Sequence, residues 1–116
     1  MKQVICGSDE LPPGTMRGGK LGPIAIVVIR TSDGRLYGLV DRCLHMGGQL
    51  SKGRLYTAQG ADGCGRYVEE EGRFIVKCPW HGYEYDLRTG ATLFDSDLKL
   101  RTFDVRDEDG RVVAES

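Results

Sequence analysis

Two short segments that each pair a cysteine with a histidine constrain this chain more than any other feature. The first segment is Cys43-x-His45 and the second is Cys78-x-x-His81. Thiolate sulfur and imidazole nitrogen together suit zinc or the iron of an iron–sulfur cluster. Because the sequence of 116 residues contains just these two histidines, an incidental role for both is a poor explanation. The sequence therefore predicts a metal centre with two cysteine and two histidine ligands.

The rest of the sequence alternates short apolar segments with turn residues, which is typical of an all-β protein. The β-branched run at 24–30 predicts a buried strand, and Asp33-Gly34 predicts the turn of a hairpin that returns at 36–41. Each cysteine–histidine segment directly follows a predicted strand, so we expect both on loops at one end of the sheet. The predicted fold is a small antiparallel sandwich or barrel with a metal-binding subdomain of two loops. Further strands are predicted at 3–6, 73–77, 83–86, 91–94 and 111–114.

The length of the chain fits one domain with a modest core, so we expect residues 1–116 to form a single unit. Two loops, at about 41–53 and 76–90, carry the predicted ligands. Residues at about 54–73 contain scattered glycines and an acidic run, and we expect them to form a long irregular insertion.

The charge and cysteine content exclude several classes of function. With 16 basic and 17 acidic residues, the net charge of −1 gives no case for a nucleic-acid partner. The longest apolar run is far shorter than the roughly 20 residues that span a bilayer, so we expect no membrane partner and a cytoplasmic location. Cysteines without an export signal favour metal binding or free thiols. We expect Cys6 to pack in the core and Cys64 to lie on an exposed loop, with a disulfide between them as the less favoured alternative.

The two segments also resemble those of a known family. The first cluster-binding loop of Rieske iron–sulfur proteins is similar to residues 43–50, CLHMGGQL. The second is similar to residues 78–83, CPWHGY, in the version found in ring-hydroxylating oxygenases and their ferredoxins. The resemblance implies one Rieske-type 2Fe–2S cluster, with one iron on Cys43 and Cys78 and the other on His45 and His81.

The same resemblance implies which residues surround the cluster: Gly47, Trp80, Tyr83 and Tyr85. High-potential members of the family have an extra cysteine in each loop, and these form a disulfide, whereas Gly48 and Trp80 occupy those positions here. Those members also have a serine that donates to a cluster sulfide where this chain has Tyr83, while Tyr85 matches a common donor to a cysteine sulfur. Fewer hydrogen bonds to sulfur imply a potential near the low end of the Rieske range, at about −150 mV.

The function that the resemblance implies is a one-electron carrier between a flavin reductase and a terminal oxygenase. A catalytic oxygenase needs a second iron site with two more histidines and a carboxylate, which this sequence does not supply. Two alternatives stay open: a Rieske subunit or domain of a larger oxidoreductase, such as a nitrite reductase, and a structural zinc site. The 32 residues between His45 and Cys78 are about twice the spacing usual in the family. The resemblance therefore does not specify which surface of this chain contacts a partner.

Overall fold

The computed structural model describes residues 1–44, 48–61, 67–79 and 83–116, with the backbone alone for 57–61 and 67–73. Its regular structure is almost entirely extended, and the helices in the described residues are two single 3-10 turns, Ser8–Glu10 and Leu50–Lys52. Neither is long or apolar enough to cross a membrane. The strands are β1 (Lys2–Gly7), β2 (Thr15–Leu21), β3 (Ile24–Arg30), β4 (Leu36–Val40), β5 (Arg54–Ala61), β6 (Tyr67–Lys77), β7 (Glu84–Asp86), β8 (Thr102–Glu108) and β9 (Arg111–Glu115).

Six strands form one antiparallel sheet in the order β1-β9-β8-β4-β3-β2. The sheet curls until its two edge strands, β1 and β2, lie next to each other. At this contact, the Gly22 N–H donates to Oε1 of Gln3 over 3.1 Å. A Cβ atom at Gly19 would lie 2.7 Å from the side chain of Ile5, so glycine permits this approach of β2 to β1. The prediction of a small, all-β antiparallel fold is confirmed, and the sheet is nearly closed.

Strand β2 was not predicted from the sequence. It pairs with β3 along its whole length, from Thr15 opposite Arg30 to Leu21 opposite Ile24. Gly22 makes the connecting turn with φ +60°, a backbone conformation that glycine adopts readily. The sequence TMRGGKL has a glycine pair and no apolar alternation, so its extended state depends on pairing with the buried strand β3.

A second antiparallel sheet has the order β5-β6-β7. Strand β5 pairs with β6 from Arg54 opposite Lys77 to Ala61 opposite Tyr67, with an irregularity after Thr57. The prediction of an irregular stretch at 54–73 is therefore wrong for 54–61 and 67–73. Backbone pairing between neighbouring strands does not need the apolar alternation that glycines and glutamates interrupt here.

The prediction of a strand at 91–94 is also wrong. Ala91 and Thr92 each make a single bridge, to Lys99 and Tyr85 respectively, and a bend follows. The side-chain hydroxyl of Thr92 accepts from the backbone N–H of Asp95, which turns the chain away before a second bridging pair can form.

The buried side chains form two clusters. One lies inside the six-stranded sheet and includes Cys6, which confirms the prediction that this cysteine packs in the core. The other joins the two sheets and contains both Cys43 and Cys78. Cys43 follows β4 of the large sheet, whereas Cys78 follows β6 of the small one. The expectation that both loops leave one sheet is therefore wrong: the predicted site lies where two sheets meet.

Candidate metal centre

The first loop is held at its base by a buried carboxylate. Asp41 directly follows strand β4, and its two oxygens accept from the backbone N–H and the hydroxyl of Ser51, over 2.8 and 2.7 Å. Within this clamp, the Cys43 N–H donates to the carbonyl of Gly48 over 2.8 Å. These bonds fix where the chain leaves β4 and where it returns, so the Cys43 side chain is held in place by the loop backbone.

The second loop is closed in the same way. The Cys78 N–H donates to the carbonyl of Tyr83 over 2.7 Å. In both loops a cysteine N–H thus bonds the carbonyl five residues later, and each closed loop contains one predicted histidine. Next to this loop, a Cβ atom at Gly53 would collide with the carbonyl oxygen of Lys77, so glycine lets β5 lie close against the end of β6.

Four of the predicted site residues lie outside the described residues. These are the two histidine ligands and two of the residues expected around them: His45, Gly47, Trp80 and His81. Cys43, Cys78, Tyr83 and Tyr85 are described. The structure brings both cysteines and both tyrosines to one region, between the two loops.

Tyr85 connects the two loops. Its side chain is fully buried, and its Oη lies 3.2 Å from Sγ of Cys43. The Leu44 N–H donates to the same Oη over 3.0 Å, which leaves the hydroxyl proton available for the sulfur. A metal-bound thiolate carries no proton, so in that state Tyr85 is the donor. This contact is the one that the resemblance implied for Tyr85.

The electrostatic surroundings keep Tyr85 protonated. Burial, followed by the hydrogen bond with Cys43, raises the pKa of the Tyr85 hydroxyl above its ordinary value. Negative charge on Cys43 and Cys78 raises this pKa further. Tyr85 therefore remains a hydrogen-bond donor throughout the neutral range.

Tyr83 and Phe94 form an aromatic contact beside the second loop. Their rings meet edge to face, with centroids 5.1 Å apart, and the Tyr83 ring lies 6.5 Å from that of Tyr85. Phe94 is 62% exposed, so it presents apolar surface to solvent at this end of the molecule. Phe94 is not among the predicted site residues, because residues 91–94 were interpreted as a strand.

The role of Asp41 was also not predicted, since this residue is the last of the strand predicted at 36–41. A signal was present in principle, since Asp41 and Ser51 flank the first loop and both types commonly bond loop backbone. Their contact depends on how residues 42–50 fold, which no local pattern specifies.

The described donor atoms fit the cysteine half of a Rieske site. Two thiols, on two loops closed alike, are buried in one cluster with Tyr85, and none of the cysteines in the described ranges forms a disulfide. No group of three or more potential metal ligands occurs within the described residues, since both histidines lie outside them. Two thiolates on one iron and two imidazoles on the other is the ligand chemistry of such a cluster.

Fold and site together define a small β-sheet protein that holds a metal centre between two loops. A family model, the Rieske [2Fe-2S] domain, matches residues 1–104. The chain belongs to this family, whose cofactor is a 2Fe–2S cluster.

Known proteins resemble the chain over nearly its whole length. The ferredoxin component of biphenyl 2,3-dioxygenase from Rhodococcus jostii is 30% identical over 112 residues, covering 96% of this chain and 89% of that protein. A solved structure from Mycobacterium tuberculosis, described as an NADH-dependent nitrite reductase small subunit, matches with a TM-score of 0.78 and 22% identity, covering 98% and 93% of the two chains. A chain in the solved complex of oxygenase and ferredoxin of carbazole 1,9a-dioxygenase matches with a TM-score of 0.72 and 23% identity, covering 97% and 91%. The two structural matches support the fold, and the first relative also supports the family.

Proposed function

We propose that this protein carries single electrons from a flavin reductase to a terminal oxygenase, using a Rieske cluster held by Cys43, His45, Cys78 and His81. The observation that carries the proposal is the pair of loops closed alike, whose two cysteines are buried in one cluster with Tyr85. A site of this kind suits electron transfer because the protein around the cluster is already held in place and has little to rearrange.

In this assignment, the two cysteines bind the iron in the protein interior and the two histidines bind the iron nearer the surface. Cys43 and Cys78 are each 2% exposed, so an iron that they held would be shielded from solvent. His45 and His81 are assigned to the other iron because the resemblance to Rieske proteins implies that pairing. When bound, the cluster supplies one-electron redox chemistry, and neutral imidazoles in place of two thiolates raise its potential above that of an all-cysteine ferredoxin.

The residues around the cysteines support a potential near the low end of the Rieske range, at about −150 mV. Tyr85 donates one hydrogen bond towards the Cys43 sulfur. Where high-potential members have a serine hydroxyl, this chain has Tyr83, whose ring packs against Phe94. A site with fewer donors to sulfur stabilises the added negative charge less.

The histidine count supports a carrier over a catalyst. A mononuclear iron site of the oxygenase type needs two histidines and a carboxylate. The sequence has two histidines, and the proposal assigns both to the cluster. The proposal includes a cytoplasmic location, since a reducing compartment keeps the ligand cysteines available as thiols.

A second candidate is a Rieske small subunit of a larger oxidoreductase. It is favoured by the likeness in fold to the nitrite reductase small subunit, which extends over nearly all of both chains. The two candidates use the same cluster and differ in how the partner is held. A free carrier purifies alone from its native cells, whereas a subunit purifies with its enzyme in fixed ratio.

The test of the ligand set uses four alanine variants and one matched control. Cys43→Ala, His45→Ala, Cys78→Ala and His81→Ala should each abolish the visible absorption and iron content of the native cluster. The control Cys64→Ala removes a thiol that the proposal leaves out, and it should retain the wild-type spectrum and potential. An unchanged cluster in any of the four ligand variants would show that the assignment is wrong. Zinc in place of iron in the wild type would remove the electron-transfer function.

A further inference from the structure

A positively charged cleft lies directly beside the second loop. It has a volume of about 370 Å³ and is bounded by the ends of β5 and β6 and the start of the loop. The side chains of three of its residues are cationic and exposed, and a buried cysteine forms part of its wall. The lining residues are Lys52, Gly53, Arg54, Lys77, Cys78 and Pro79.

Among the described residues, the lining of this cleft has three cationic side chains and no carboxylate. Arg54 and Lys77 are directly opposite each other on paired strands, and like charges in such positions are destabilising. Glu84 is the residue opposite Lys77 on the other side; its carboxylate keeps its negative charge and accepts a hydrogen bond from the Tyr56 hydroxyl. Among the described residues, no carboxylate forms an ion pair with Lys52, Arg54 or Lys77.

This cluster of cations stands out against the rest of the chain. The net charge of the whole protein is −1, so its overall field does not attract anions. Elsewhere in the described residues, arginines are commonly neutralised, as Arg106 is by Asp104, Glu108 and Glu115. An arginine and two lysines that form no ion pair with the described residues therefore create a local positive potential next to Cys78.

We propose that this cleft docks an acidic face of the protein that exchanges electrons with the cluster. The inference rests on the proposed function and adds the chemistry of the partner. Complementary charge steers a diffusing partner to the correct face and raises its association rate. Because Cys78 is part of the cleft wall, acidic side chains bound there bring the partner's redox group close to the cluster. A compact group of cations in a chain of net charge −1 fits a small acidic patch better than an extended polyanion.

The test measures electron transfer to two redox proteins that differ in surface charge. The reduced protein is mixed with ferric cytochrome c, which is basic, or with succinylated cytochrome c, which carries the same haem in an acidic protein. Reduction is followed by stopped-flow absorbance of the haem. For the wild type, the rate with the succinylated form should fall as ionic strength rises, because salt screens the attraction.

Arg54→Glu is the test variant, and Arg111→Glu is its matched control. A glutamate at position 54 is opposite Lys77, which is a favourable pair, so the variant should fold. Arg111 is exposed on β9 of the other sheet, and its reversal changes the net charge by the same amount. Arg54→Glu should slow reduction of the succinylated form by about three- to tenfold and weaken its salt dependence, whereas Arg111→Glu should change the rate by less than about twofold.

Three results would overturn the docking proposal while leaving the carrier function intact. The first is equal rates for the two variants, and the second is a wild-type rate with the succinylated form that rises with salt. The third is inhibition specific to inorganic phosphate at constant ionic strength, which would make the cleft a small-anion site. The cluster spectrum and potential are measured on the same samples, so loss of the cluster, which would refute the carrier function itself, is recognised separately.

Discussion

Replacing Tyr85 with phenylalanine removes the hydroxyl that lies between the two cluster loops. The Oη atom lies 3.2 Å from the Cys43 sulfur and accepts the Leu44 N–H over 3.0 Å. The ring itself is retained, and it packs in the buried cluster with both cysteines. The variant therefore removes one donor to sulfur and one backbone acceptor with little change in packing.

The expected change in potential follows from the strength of that bond in the two oxidation states. A hydrogen bond to a charged group contributes about 1.5–3 kcal/mol, against about 1 kcal/mol for a neutral pair. The bond from Tyr85 should therefore strengthen by about 1 kcal/mol when the cluster gains an electron. Since a tenfold change in a one-electron equilibrium is about 59 mV, the potential of Tyr85→Phe should fall by about 40 mV.

The same variant should lower stability. Without Oη, the partly buried N–H of Leu44 loses its acceptor, and leaving such a donor unsatisfied costs about 1–3 kcal/mol. The two effects are read out separately, by potentiometric titration of the cluster and by chemical unfolding.

The matched control for this prediction is Tyr37→Phe. Tyr37 is half-buried and packs against the same core cluster, but its hydroxyl makes no hydrogen bond with the described residues. The potential of the control should stay within about 10 mV of the wild-type value, which is well below the shift of about 40 mV expected for Tyr85→Phe. If Tyr85→Phe had an unchanged or higher potential, the hydrogen bond would not stabilise the reduced cluster and the reasoning would be refuted.

Three further changes test the supports of the site and of the fold. Asp41→Ala removes both bonds to Ser51, so the free energy of unfolding should fall by about 2–3 kcal/mol and the cluster should be lost faster on heating, as followed by visible absorption. Gly53→Ala places a methyl group against the backbone of β6 and should cost about 1–3 kcal/mol by chemical unfolding; a wild-type value would contradict the close approach. Arg30 holds the pKa of Asp107 below its usual value, so this carboxylate stabilises the fold above about pH 4, and that contribution is lost as the pH falls through the lowered pKa. Asp107→Asn should therefore lose about 1 kcal/mol at neutral pH and show a smaller fall in stability on acidification; equal pH profiles would argue against the pair.

The features that the sequence predicted best are those set by short-range rules. The strand at 24–30 matches β3 because a β-branched run favours extended backbone. The turn at Asp33-Gly34 connects β3 to β4 as predicted, with φ +87° at Gly34. The cysteine–histidine segments could be found because their residue types and order are unusual outside metal sites, and the family match confirms the cofactor that they implied.

The features that the sequence did not predict depend on contacts between distant segments. β2 and the β5–β6 hairpin contain glycines and charges, and their pairing is set by neighbouring strands rather than by their own pattern. The Asp41–Ser51 clamp and the basic cleft also need the folded chain, since Arg54 and Lys77 are far apart in sequence and opposite each other in the sheet. Spacing alone did not show that the two loops leave different sheets.

The most direct test of the central claim is the low-temperature EPR spectrum of the dithionite-reduced protein, with iron and zinc counted on the same sample. The account predicts two irons per chain and a rhombic signal with a low average g value, as expected for a cluster with mixed cysteine and histidine ligands. One zinc per chain with no EPR signal would contradict it and make the four residues a structural metal site.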